Sequence, residues 1–256
     1  MSRAGPAIAI GYAAAAVAAT ATGGMHRRRA AAVTKPLPIA LLAVEAARGV
    51  RHRPGFDNAL LFGALAFSAA GDRAMLLEEF SGTASDNDVA AKDRRLMIGA
   101  SLFAGAQLCL TGAMLRRGAR PSRTSLLIRT AVLAESAAVM ARRRPRLLPV
   151  LGGYGNSLAL MSATSHDATL PQPGMGGGGW LFLLSDLTIL NRRHLITDTR
   201  LSAIAETWVL ASYFAAQWLL VGTLSRTDQA PRLVATEHAP YQQIPHGVRM
   251  DGPAPL

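Results

Sequence analysis

The chain has almost no lysine, a single cysteine and little charge. Lys35 and Lys92 are the only lysines among 27 basic residues. We read the arginine-for-lysine bias as compositional. Cys109 is the sole cysteine, so no intrachain disulfide can form, and it says little about compartment. Charged residues make up 17% of the chain, against about a quarter in ordinary soluble domains. Half of the residues are hydrophobic and the mean hydropathy is +0.22. That balance argues against a soluble domain.

Several kinds of chemistry are missing too. No HExxH pair occurs, and His166 is the only histidine close to an apolar run, so we expect neither a metal site nor a cofactor. No GxSxG nucleophile elbow occurs. GMGGGG, from Gly174 to Gly179, is followed by no lysine and opens an apolar segment. It reads as a place of close helix packing, not as a phosphate loop.

The net charge of +11 raises nucleic acid as a partner. The spacing of the arginines excludes it. They fall in short clusters (Arg27 to Arg29, Arg116 and Arg117, Arg142 to Arg144, Arg192 and Arg193) that separate apolar runs. Zinc-finger spacing, an aromatic ribonucleoprotein motif and a basic amphipathic helix are all lacking. The pattern is that of membrane loops near an anionic lipid surface.

Eight apolar segments are present, each near the roughly 20 residues needed to cross a bilayer. They cover 6–24, 33–50, 57–77, 96–115, 125–141, 146–165, 175–191 and 202–224. The expected fold is all-α: a polytopic membrane helix bundle of about eight transmembrane helices over residues 1–224. Residues 225–256 are polar and proline-bearing, and we expect a disordered tail. The first segment has features of a signal peptide, but the HRRR run from His26 to Arg29 opposes its export, so we expect an uncleaved helix. The expected location is the cell membrane, as a multi-pass protein.

With eight crossings, both termini share one side, here side A. The side B loops hold Arg27 to Arg29, Lys92, Arg94, Arg95, Arg142 to Arg144, Arg146, Arg192, Arg193 and Arg200. This modest excess makes B the expected cytoplasmic side.

Ionisable groups inside membrane segments are costly and usually functional. Asp72, in FSAAGDRAMLL, either serves a function or marks, with Arg73, a helix end at the interface. Lys35 opens the second segment, Asp72 lies near the end of the third and Asp186 near the end of the seventh. All three therefore fall toward side B at similar depth, which supports a shared site. Ser68 lies one turn before Asp72, and Ser185 precedes Asp186. Tyr213 and Gln217 are four apart in the last segment and must face protein or a polar cavity, because lipid cannot satisfy them. They serve either a site or helix–helix bonding. The same alternatives stand for Gln107. Glu206 opens the last helix on side B and is placed to join the cluster. Glu45 and Glu135 are expected to pair with Arg48 and Arg129.

Taken together, TKPLPI (Thr34 to Ile39), LAFSAAGDRAMLL (Leu65 to Leu77), GGWLFLLSDLTIL (Gly178 to Leu190) and ASYFAAQWLL (Ala211 to Leu220) resemble the YhhN family of membrane proteins in order and spacing. YGNSLALMSA, from Tyr154 to Ala163, is similar to its sixth helix. That family includes the lysoplasmalogenases, which hydrolyse the vinyl ether bond of lysoplasmalogens to a fatty aldehyde and glycerophospho-ethanolamine or -choline. The resemblance implies that Lys35, Asp72 and Asp186 are the family's polar motif positions. Where many members carry a histidine and, three residues later, a tyrosine, this chain has Gln107 and Leu110.

The resemblance implies vinyl ether hydrolysis, which needs a proton donor and an anion that stabilises an oxocarbenium ion. Two carboxyl groups in one poorly solvated site can supply both, one protonated and one ionised. Asp72 and Asp186 are therefore the expected catalytic pair. Lys35, Ser68, Ser185, Tyr213, Gln217 and Gln107 are the expected substrate-binding groups. A lysophospholipid and membrane lipid are the expected partners. Two alternatives stay open: a lipid-binding or transport protein without catalysis, and hydrolysis of another ether or ester lipid.

Overall fold

The computed structural model describes residues 4–25, 27–80, 85–167, 174–195 and 198–226, and every regular element among them is helical. The tail expected from residue 225 lies, from residue 227 on, outside the described residues. The helices are α1 (Ala4–Gly24), α2 (Arg28–Thr34), α3 (Pro36–Arg48), α4 (Gly55–Glu79), α5 (Asp86–Arg116), α6 (Arg123–Arg143), α7 (Leu148–Ser165), α8 (Met175–Leu195), α9 (Thr199–Gln217) and α10 (Thr223–Ser225).

Local chemistry sets several helix starts. Ser85 and Asp88 form a reciprocal capping box at the start of α5. Ser122 accepts from the Ser125 N–H to open α6, and Asp198 accepts from the Arg200 and Leu201 N–H groups to open α9. Pro36 occupies the first turn of α3, where its fixed φ suits a helix start. Lys35 itself has helical angles, so α2 and α3 run on across it as one rod, Arg28–Arg48. A π-helical turn, Trp218–Gly222, joins α9 to α10 in the same way.

The largest departure from expectation is the start of α5. The segment expected from residue 96 begins at Asp86. Its first turns are charged, so hydropathy does not reveal them, yet the capping box nucleates a helix there. Lys92, Arg94 and Arg95 thus lie on a helix and not in a loop.

Bonds between the ends of the rods show an up-and-down path. On side B, Lys35 Nζ lies 3.1 Å from Glu79 Oε2, Thr22 and Thr34 share a 2.7 Å hydroxyl bond, and Arg144 Nη1 lies 2.5 Å from Asp93 Oδ1. On side A, Arg53 donates to the carbonyls of Ala46 and Ser225, Arg117 to that of Leu224, and Arg116 pairs with Asp57. Arg53 and Arg117 thus bond carbonyls at helix C-terminal ends. Burial lowers the pKa of Arg53 and of Arg117, and Asp57 opposes that effect at both.

The packing order closes a ring. Helix α1 packs on α3, α3 on α4, α4 on α5, α5 on α7, α7 on α8, α8 on α9, and α9 back on α1. Helix α6 sits outside, against α7 and α8. The main core fills the ring with Tyr12, Leu42, Leu61, Leu110, Met161, Phe182, Phe214 and Leu220 among others. Among the described residues, six rods are long and apolar enough to cross a membrane: Pro6–Gly24, Arg28–Arg48, Gly55–Glu79, Asn87–Arg116, Arg123–Arg142 and Arg200–Ser225. The two remaining long helices, α7 and α8, are rich in glycine and serine. Much of α7 is enclosed by protein: Ser157, Leu158, Ala159 and Met161 to Ser165 are buried. A helix that faces protein can carry polar groups that lipid would not tolerate.

The glycine run opening α8 behaves largely as expected. A Cβ on Gly179 would lie 2.0 Å from Ser165 Oγ and one on Gly178 would lie 2.9 Å from Leu219 Cβ, whereas Gly177 faces open space. Gly174, before the helix, has φ +107, a left-handed angle that favours glycine.

Candidate functional site

A cavity of about 1030 Å³ lies in the side B half of the bundle. Ligand pockets are typically about 300–1,000 Å³, so it is large enough for a long single-chain molecule. Its walls come from α4 to α9 together with Lys35. Asp72, Asp186, Lys35, Ser185, Tyr213 and Glu206 all line it. Lys35, Asp72 and Asp186, expected to share a side and depth, thus line one chamber, whereas Ser68, Gln217 and Gln107 do not line it.

Each carboxyl has a tyrosine. Tyr213 of α9 donates its hydroxyl to Asp72 Oδ2 of α4 at 3.2 Å. Tyr154 of α7 donates its hydroxyl to Asp186 Oδ2 of α8. The Tyr213 ring is held edge-on between Phe103, at 5.9 Å, and Phe182, at 5.6 Å. Behind it, Gln217 Nε2 donates to Tyr213 Oη at 3.1 Å and to Ser68 Oγ at 3.0 Å. Helices α4 and α9 are thus tied by a buried string, Ser68–Gln217–Tyr213–Asp72.

The remaining expected groups stand further back. Ser185 Oγ donates to the Val209 carbonyl at 3.0 Å, fastening α8 to α9 while lining the cavity. Gln107 is fully buried and outside the lining; its Oε1 accepts from Ser157 Oγ at 2.5 Å. Its amide also faces Tyr154, although Nε2 makes no hydrogen bond of good geometry. Gln107 therefore stands behind Tyr154. Leu110, three residues on, is a core residue. Lys35 is engaged by Glu79 and acts on Asp72 only through its charge.

Two pairings expected for outlying acids divide. Arg48 does bond Glu45, at 3.3 Å. Arg129 instead donates to Ser162 and Ser125 and lies over the Trp180 ring. No bond to Glu135 is described, since six residues along a helix place the two on different faces.

The residues that sequence reasoning missed are Tyr154, Glu78, Glu79 and Lys92, all of which line the cavity. Tyr154 lay inside a quoted motif, and a tyrosine in an apolar helix needs a partner for its hydroxyl. That rule finds Tyr12 too, whose hydroxyl donates to the Phe214 carbonyl at 2.6 Å.

No curated protein and no solved structure matches the chain. A match to a family is found, and it spans residues 30–224, which hold Lys35, Asp72, Tyr154, Asp186 and Tyr213. Because that match covers most of its length, the chain belongs to the YhhN family.

Proposed function

We propose that the protein is a lysoplasmalogenase-type hydrolase of the cell membrane, cleaving the vinyl ether bond of a lysoplasmalogen. The observation that carries this reading is the pair of carboxyls, Asp72 and Asp186, lining one cavity, each bonded to its own tyrosine. Family membership supports it.

In the proposed reaction, one carboxylic acid gives its proton to the outer alkene carbon. The electrons of the double bond take that proton, and the ether oxygen stabilises the cation left on the adjacent carbon. The second, ionised carboxylate faces this oxocarbenium ion. Water adds to the cationic carbon and loses a proton to a carboxylate. The hemiacetal hydroxyl then gives its proton to a carboxylate as the bond to the glycerol oxygen breaks, and that oxygen takes a proton from the carboxylic acid, giving a fatty aldehyde and glycerophospho-ethanolamine or -choline. The proton balance closes within the pair and water, without a cofactor.

The tyrosines hold each carboxyl in place by hydrogen bonding. Ser68 and Gln217 position Tyr213, and Gln107, held by Ser157, lies behind Tyr154. Gln107 cannot shuttle protons, but its place behind Tyr154 asks for a hydrogen bond and not for proton transfer. Lys35, paired with Glu79, supplies positive potential beside Asp72.

A second reading, lipid binding without catalysis, draws on Gln107 and Leu110 at the positions where many family members carry histidine and tyrosine. One assay separates the two. Purified protein is given a 1-alkenyl lysophosphatidylethanolamine and, in parallel, its saturated 1-alkyl analogue, which has no alkene carbon to protonate. Aldehyde from the first alone supports hydrolysis. Saturable binding of both with no aldehyde from either supports the second reading.

A further inference from the structure

The scarcity of lysine was read from the sequence as compositional, and only Lys35 of the two was expected to bind substrate. Their positions argue otherwise. Both Lys35 and Lys92 line the cavity. Among the described arginines, only Arg144 joins them there, and it is paired with Asp93 at 2.5 Å. An arginine-rich chain thus keeps both of its lysines for one chamber.

The three cations differ in what already holds them. Lys35 is bonded to Glu79 and Arg144 to Asp93. Lys92 makes no ion pair or hydrogen bond among the described residues, and it is only half-buried. Its backbone is fixed, because it lies on α5 behind the Ser85–Asp88 capping box. The same face of α5 continues as Leu96, Ala100 and Phe103, and Phe103 touches the Tyr213 ring. That stripe is charged at the side B rim and apolar below.

We infer that Lys92 marks a phosphate-binding rim, which holds the phosphodiester of a single-chain lipid while the chain occupies the apolar part of the cavity. A lysine ammonium is a compact charge with three rotatable donors on a flexible stem, suited to a phosphate that arrives in varied orientations. Of the acids lining the cavity, Glu79 and Asp93 are paired with Lys35 and Arg144, and Glu78 and Glu206 have partners of their own. The ionised member of the Asp72–Asp186 pair, deeper in, repels phosphate and keeps it at the mouth. The inference rests on the reading of the cavity as a lipid site, but not on vinyl ether chemistry.

The test is a binding measurement with ligands that cannot be hydrolysed. Dissociation constants are measured in detergent for a saturated 1-alkyl lysophosphatidylethanolamine and for the 1-alkylglycerol of the same chain, which lacks phosphate. Wild type, Lys92→Gln and Lys92→Arg are compared. Wild type should prefer the phosphate-bearing ligand, and Lys92→Gln should weaken that ligand about 10-fold, the scale of one charge-assisted hydrogen bond. Alkylglycerol affinity should not change, and Lys92→Arg should keep most of the preference. Competition by inorganic phosphate would extend the site to free phosphate; its absence would confine the site to the headgroup. Unchanged lysolipid binding in Lys92→Gln overturns the inference, as does equal weakening of both ligands. Lys92-dependent binding without aldehyde release would refute the hydrolase reading alone, and aldehyde release with Lys92-independent binding would refute this inference alone.

Discussion

Tyr154 and Tyr213 perform one task on two different helices: each fixes a carboxyl that would otherwise swing freely in the cavity. In the proposed mechanism, the aligned bond matters most as charge moves between acid and lipid. Tyr154→Phe and Tyr213→Phe should each lower kcat by about 10-fold or more, the scale of one hydrogen bond to a charged group, with little change in KM. Steady-state aldehyde release checks this; an effect on KM alone would make the tyrosines part of lipid binding. Asp72 and Asp186 were legible in the sequence because a charge inside an apolar run stands out. Tyr154 was not, because its ring suits such a run and only its hydroxyl does not. Lys35 was legible as a group on the right side and depth, but not its bond to Glu79, because the partner lies 44 residues away.

At the level of single helices, the start of α8 makes a sharp comparison. Alanine at Gly179 would put a Cβ 3.0 Å from the Ser162 Cα as well as against Ser165, while Gly177 has nothing within 4 Å. Gly179→Ala should lower stability by about 1–3 kcal/mol through overpacking. Gly177→Ala should be neutral or stabilising, because alanine is the better helix former by about 1 kcal/mol. Thermal unfolding in detergent, followed by circular dichroism, compares the two, and equal effects would contradict the α7–α8 contact. The glycine run showed that something packs closely, but not which glycine faces which helix. Helix existence was legible from apolar length. The extra turns of α5 were not, because charged turns beyond an apolar core look like loop until the Ser85–Asp88 cap is recognised. The closed ring was not legible either, since neighbours such as α1 and α9 meet only through the folded chain.

Across the whole molecule, the cavity mouth lies at side B, the side expected from the loop arginines to be cytoplasmic. With Cys109 replaced by alanine, an impermeant thiol reagent applied outside intact cells should label the Arg120→Cys variant, on side A, and not the Ser85→Cys variant, on side B. The reverse pattern would place the mouth on the outer face. The central claim is that two carboxyls in one chamber act together on a lipid vinyl ether. Asparagine keeps each side chain's shape but can neither donate a carboxylic proton nor hold negative charge. General acid–base catalysis contributes about 10²- to 10⁴-fold. The most direct measurement is therefore the turnover of purified wild type, Asp72→Asn and Asp186→Asn on lysoplasmenyl-ethanolamine, with each variant shown to be folded and membrane-inserted. The account predicts aldehyde release by wild type and a loss of at least about 10²-fold in both variants. Near-normal turnover in either variant, or none in wild type, would contradict it.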